Sequence, residues 1–397
     1  MRSLLTLSML AALLLAAVAT ALGQTEEVLY SFVNVPDGAI PYYVTPVLDK
    51  QGNLYGTTMR GGAYGYGTVF EVTSTGTETV LHSFNNDGTD GIYPYAGVIL
   101  GKKGNLYGIT TGGGAYGYGM VFELSPSGKE TILHSFEFNG IDGFGPFSGL
   151  VADKKGNLYG TTAYGGAHGD GTVFELTPSG TETILYSFEE NGTDGFNPES
   201  TLIMDTENNL YGTTGNGGPY GYGTVFKLTP SGSETILHSF EANGTDGIYP
   251  NAGLVFDKKG NLYGTTGTGG AYGYGTVFEL APSGAETILH SFNDNGTDGT
   301  NPEAGLVLGK KGALYGTTVS GGALCAPAGC GTAFELTAEG KESILHSFGA
   351  TGDGYYPYGG VVLDKEGNLY GTTYDGGYDA GECAFFGGCG TVFKVTP

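Results

Sequence analysis

Residues 149–188 contain four short apolar runs in succession: Gly149-Leu150-Val151-Ala152-Asp153, Asn157-Leu158-Tyr159-Gly160-Thr161-Thr162, Gly171-Thr172-Val173-Phe174-Glu175-Leu176-Thr177 and Glu182-Thr183-Ile184-Leu185-Tyr186-Ser187-Phe188. Each is rich in β-branched and aromatic residues and is bounded by Gly, Pro, Ser or Asp, the pattern of short strands. The links are tight. Asp153-Lys154-Lys155-Gly156-Asn157 and Pro178-Ser179-Gly180-Thr181 place Gly where a short hairpin needs a positive φ. No stretch beyond the apolar head of the chain shows helical periodicity, so the mature chain reads as all β.

The unit recurs along the chain. Leu-Tyr-Gly places its Tyr at 55, 107, 159, 211, 263, 315 and 370, in steps of 52 residues five times and then 55. Seven copies of a unit near that length point to propeller blades of four strands each. The first three runs occur seven times, but the last copy stops at Val395-Thr396-Pro397, before its fourth. The absent run stands at the other end of the chain, as Glu26-Glu27-Val28-Leu29-Tyr30-Ser31-Phe32. An open stack gains nothing from this permutation, whereas a ring gains closure and loses its exposed edges. The expectation is a seven-bladed β-propeller whose last blade combines residues 26–32 with roughly 355–397.

The unit Gly-Asn-Leu-Tyr-Gly-Thr-Thr, a Gly-rich stretch, then Gly-Thr-Val-Phe-Glu-Leu stands at residues 52–72, 104–124, 156–176 and 260–280, with looser copies elsewhere. It resembles the bacterial GloVer (Gloeo_Verruco) tandem repeat over essentially the whole mature chain. That resemblance implies an exported protein and brings no catalytic residues. Several members carry a C-terminal sorting or anchoring tail, whereas this chain ends at Pro397 directly after a strand.

Composition agrees with export. Met1-Arg2-Ser3, the apolar run Leu4 to Val18 and the small residues Ala19 to Gly23 read as a signal peptide over residues 1–23, leaving residues 24–397 as one propeller domain. The apolar run is shorter than the roughly 20 residues of a membrane span, so no membrane insertion is expected. Lys and Arg total 16 against 40 Asp and Glu, a formal charge of −24, which argues against nucleic acid and against anionic lipid as partners. The expected location is extracellular or periplasmic, and a monomer is expected.

Two elaborate loops of each unit should share one face. The inter-blade loop carries Asp-Gly-x-x-Pro in every unit, with Asp37, Asp90, Asp142, Asp194, Asp246, Asp298 and Asp353. The other carries tyrosine pairs: Tyr64 and Tyr66, Tyr116 and Tyr118, Tyr220 and Tyr222, Tyr272 and Tyr274. Tyr offers a flat apolar ring and a hydroxyl to a sugar, and Asp accepts from sugar hydroxyls. The alternative is structural: Asp caps a turn, Pro sets φ and Tyr packs between blades. In the third unit His168 and Asp170 replace the Tyr pair, and with Asp142 and Asp194 they form a candidate asymmetric polar site. His82, His134, His238, His290 and His346 of Leu-His-Ser-Phe read as packing residues, because Tyr fills the same slot at Tyr30 and Tyr186 and the adjacent Ser points to the opposite face.

Cys325 with Cys330 and Cys383 with Cys389 read as two local disulfides in an exported chain, a shared zinc site being the rival. No cofactor and no metal are expected. Asp294 as the start of an EF-hand loop puts Gly305 where the bidentate Glu belongs, and only a different calcium geometry stays open. Asn191-Gly192-Thr193, Asn243-Gly244-Thr245 and Asn295-Gly296-Thr297 fit the glycosylation sequon but read as a recurring Asn-Gly turn. Seven near-identical units offer little of the asymmetry a catalytic centre needs. The function expected is therefore non-enzymatic binding of a glycan or another surface molecule. A structural or adhesion module, or a polysaccharide-degrading enzyme, are the alternatives.

Overall fold

The computed structural model describes residues 25–377, 383 and 388–397, so the leader expected over residues 1–23 lies outside the described residues. Seven four-stranded antiparallel sheets carry the chain. The third blade runs Val151–Ala152, Leu158–Thr162, Thr172–Leu176 and Glu182–Ser187 in that spatial order, here called strands A to D. Six blades are built from consecutive strands. In the seventh, Val362–Leu363, Leu369–Thr373 and Thr391–Thr396 are followed in space by Thr25–Ser31. Thr25 pairs with Thr396 and Ser31 with Thr391, and the register slips between Val28 and Tyr30. The C–D pairs of the other blades slip in the same way, as between Val173 and Phe174.

The repeated motif follows from packing. In Leu-Tyr-Gly-Thr-Thr of blade 3 the Leu158 side chain is buried and the Tyr159 hydroxyl donates to Glu175 of strand C at 3.0 Å. A Cβ on Gly160 would stand 2.7 Å from Phe174, so only Gly lets that ring lie across strand B. Of the two threonines, the first reaches the next blade. Thr57 donates to the Ala96 carbonyl at 2.8 Å, and Thr372 of the seventh blade donates to Val44 ahead of the first at 2.8 Å. The second pairs with strand C, as Thr162 with Thr172 at 2.8 Å.

Phenylalanines tie the ring together. The Phe after each strand D packs edge-to-face on the strand C Phe of the following blade, from Phe84 on Phe122 at 5.3 Å round to Phe348 on Phe393 at 4.9 Å and Phe32 on Phe70 at 5.1 Å. Such pairs are worth about 0.5–1.5 kcal/mol beyond the area they bury. Blade 7 thus meets blade 1 through the same contact that joins every other pair.

Two features depart from the sequence reading. Strand A is only two residues long in each blade, because the chain there closes round the axis. A Cβ on Gly305 would stand 3.1 Å from the Gly253 carbonyl. Each blade also carries a two-residue ladder where only loops are expected, such as Gly38–Ala39 with Arg60–Gly61. These ladders bind the inter-blade loop to the B–C loop and set both on one face.

Candidate functional site

The seven Asp of Asp-Gly-x-x-Pro are 4–9% exposed and turn into the seams between blades. Oδ2 of Asp142 accepts the Glu137 N–H at 2.8 Å and faces His134 Nε2 at 3.2 Å. Glu182, from strand D of the next blade, stands 3.5 Å from the same nitrogen. The pattern repeats with His82, His238 and His290. His346 meets Asp353 at 2.8 Å, and Tyr30 and Tyr186 donate to Asp37 and Asp194 at 2.8 and 2.9 Å. The loop needs an acceptor for its buried N–H and for an imidazole or phenol, and Asp supplies both, so these carboxylates form no open ring.

Burial, with the neighbouring Asp charge, pushes the seam glutamates upward: Glu78, Glu182, Glu286 and Glu342 to about 7, Glu26 and Glu234 to about 8. Burial by itself would lower the imidazoles, but the bond to Asp and the charges of Glu and Asp outweigh it in His82, His134, His238 and His290, whose values rise. Five seams bring one imidazole and two carboxylate oxygens within 4.8 Å of one another, a donor set that also suits a divalent ion. The two tyrosine seams close the same slot by hydrogen bonds alone.

The tyrosine pairs divide. The first of each is open to solvent, with Tyr64 57%, Tyr116 54%, Tyr220 52% and Tyr272 58% exposed. The second leans on the inter-blade loop, Tyr66 against Tyr93, Tyr118 against Phe144 and Tyr222 against Tyr249. Tyr274 keeps part of its ring exposed. His168 is exposed, while Asp170 accepts the Glu190 N–H at 2.9 Å. With Asp142 and Asp194 held in separate seams, the asymmetric site expected in the third unit does not assemble. The Asn-Gly loops close on themselves, Asn295 Oδ1 accepting the Thr297 and Asp298 N–H groups at 3.0 and 2.9 Å. Cys325 is bonded to Cys330 and Cys383 to Cys389.

Repetition hides a further ring. In six blades the residue after Asp-Gly-x-x-Pro faces the axis, and it differs from blade to blade: Tyr95, Phe147, Glu199, Asn251, Glu303 and Tyr358. The first unit has one extra residue there, Tyr42, and Tyr43, at φ +53°, takes the axial place, its ring stacking on Tyr95 at 5.5 Å and meeting Tyr358 at 5.4 Å. One half of the mouth is therefore aromatic and the other acidic. Between them lies a cavity of about 110 Å³. Confinement raises the carboxyl of Glu303, with the Glu199 charge adding to it and a hydrogen bond from Asn251 opposing it. Glu199 is raised too, although its exposed side chain leaves solvent to screen it. Only the non-repeating letter after each Pro marks this ring in the sequence.

A larger recess of about 970 Å³ opens on the opposite face, among the A–B turns of blades 5 to 7. Lys258, Lys259, Lys310 and Lys311 line it beside Asp257, Glu279, Asp364 and Glu366, a mixture that selects no ligand charge. Among the described residues no helix is long and apolar enough to cross a membrane.

The family model described as the Gloeobacter/Verrucomicrobia repeat matches residues 18–219 and 200–397. No curated protein matches the sequence. The extracellular domain of a hybrid two-component system from B. thetaiotaomicron is similar in structure, at 16% identity and a TM-score of 0.57, over 94% of this chain and 41% of that one. A second such domain from B. thetaiotaomicron aligns at 11% identity and 0.57, over 93% of this chain and 39% of that one. The chain thus spans about two fifths of the length of those domains, and the likeness is one of fold. A gluconolactonase from Xanthomonas campestris aligns at 15% identity over 74% of this chain and 86% of that one, with a TM-score of 0.45 that carries no argument.

Proposed function

The chain belongs to the Gloeobacter/Verrucomicrobia repeat family, and on that premise we propose that it is an exported, non-catalytic propeller that binds a glycan or another extracellular molecule through its tyrosine-rich loop face. One observation carries this reading. Tyr64, Tyr116, Tyr220 and Tyr272 occupy the same loop position in four blades and each leaves more than half its surface open. A packing role would bury them. Their rings present the flat apolar face and hydroxyl that sugars stack on, and four equivalent weak sites on one rigid ring reinforce one another. The apolar head of the sequence and the two disulfides support export.

Retention on insoluble and arrayed polysaccharides tests the reading. Replacing all four tyrosines by Ser should weaken retention by about tenfold or more through lost multivalency, with the melting temperature unchanged. Retention on no polysaccharide would remove the glycan.

A second reading, a protein-adhesion module, is favoured by one local departure from the repeat. Phe138 and Ile141 are 65% and 72% exposed where other blades carry residues such as Glu190 and Thr193. Phe138 packs on Phe144 at 5.2 Å, which makes a local apolar patch of the kind that contacts proteins.

A further inference from the structure

The mouth of the axis has a chemistry that the tyrosine rim lacks. Glu199, Asn251 and Glu303 come from three consecutive blades, and facing them stand Tyr43, Tyr95 and Tyr358. Among the described residues, neither carboxylate forms an ion pair with Lys, Arg or His. Glu303, the more buried of the two, stands in the field of Glu199 with no cation beside it, and a positive charge between them would offset that repulsion.

Room has been left behind the acidic half. The residue after Leu-Tyr-Gly-Thr/Ile-Thr in each blade backs the ring, and it is Met59, Thr111, Val319 and Tyr374 behind aromatic members. Behind Glu199, Asn251 and Glu303 it is Ala163, Gly215 and Gly267. A Cβ on Gly267 would stand 2.7 Å from Glu303 Oε1, and one on Gly215 2.7 Å from Asn251 Oδ1. Neither glycine has a positive φ, so the backbone does not demand Gly there. The small residues make a recess into which the polar side chains fit.

We propose that the mouth of the axis binds a small organic cation, a primary or quaternary ammonium group, with the tyrosine rings on one side and Glu199 and Glu303 on the other. The tyrosine faces attract an ammonium through their quadrupoles, worth about 0.5–2 kcal/mol per contact depending on desolvation. The same face already holds a cation in this way, the Arg60 guanidinium lying 5.0 Å from the centre of the Tyr93 ring. Size sets the class. A cavity of about 110 Å³ takes a head group, whereas whole drug-sized ligands occupy about 300 Å³ or more. A hard metal ion needs six or more oxygens, most of them carboxylate or carbonyl, and beyond Glu199 and Glu303 the aromatic half offers it only neutral phenol hydroxyls and ring faces. A neutral sugar would leave both acids uncompensated.

This site goes beyond the rim of tyrosines and does not depend on it, so the two can fail separately. Titration calorimetry of the full mature chain with choline, set against its uncharged carbon analogue 3,3-dimethyl-1-butanol, is the direct test. Choline should bind at least about tenfold more tightly than the alcohol, a difference of about 1.4 kcal/mol. Glu303→Gln and Tyr95→Leu should each weaken choline by about three- to tenfold, while the four-tyrosine rim variant binds it as the parent does. Gly267→Val, which fills the recess from behind, should also weaken it. If Glu303→Gln does not fold, Glu199→Gln carries the same expectation. Equal binding of alcohol and choline, or no heat from choline with the folded parent protein, would overturn the proposal.

Discussion

Each seam between blades holds a glutamate above its ordinary range, so between about pH 5 and pH 7 the folded chain binds more protons there than the unfolded one. The seam glutamates titrate near 7 to 8 against an ordinary 4.5, and four of the histidines are raised above 6.5. A carboxyl whose folded value is raised contributes fully below its unfolded value and loses that contribution as pH rises through the folded one. The raised histidines act in the same sense above 6.5. Asp87, Asp205 and Asp364, which are lowered, act only below 3.8 and so outside this window. The melting temperature should therefore fall steadily between pH 5 and pH 8, and calorimetry across that range checks it. Glu234→Gln, in a tyrosine seam, should flatten the slope, and a melting temperature that rises with pH would contradict the assignment. The seam residues could be read from the chain because they recur at fixed offsets. Their inward turn could not, because it depends on a Glu from the next blade. The mouth residues escaped for the opposite reason: Glu199, Asn251 and Glu303 stand where the repeat breaks its own pattern.

Strands and hairpins were the most legible elements. Strands B, C and D of the third blade lie within a residue of their expected bounds, since each couples a β-branched and aromatic run to a glycine turn. The inter-blade loop was less readable. A proline disfavours helical backbone in the residue before it and pushes that residue towards an extended conformation, yet Ile40, Tyr93, Asn197, Tyr249, Asn301 and Tyr356 all sit at φ between +53° and +60°. The short ladder that ties this loop to the B–C loop holds them there, a tertiary constraint that overrides the local preference. The disulfides replace the tyrosine loop in blades 6 and 7 and close short segments, five and six residues apart. Replacing Cys325 and Cys330 by Ser should cost about 2 kcal/mol on the chain-entropy estimate, read from urea denaturation under oxidising conditions. No loss at all would mean that the loop is ordered by other contacts.

The ring as a whole depends on its first strand. Thr25–Ser31 covers the edge of Thr391–Thr396, and Phe32, fully buried, completes the phenylalanine pairing between blades 7 and 1. Phe32→Ala should cost about 3–5 kcal/mol, the usual range for a buried Phe. Removing residues 25–32 should abolish the cooperative transition, and grafting them after Pro397 through a short linker should restore it. A truncated chain that melts like the parent would show that the ring does not need this strand. The number of blades, the four strands in each and the shared face of the loops were written in the sequence, because spacing, β-branched runs and turn glycines are local properties that repetition multiplies. The inward turn of the aspartates, the open tyrosines and the half-aromatic, half-acidic mouth were settled only when seven blades met. Each depends on residues roughly one repeat or more apart, and their distances exist only once the circle is closed.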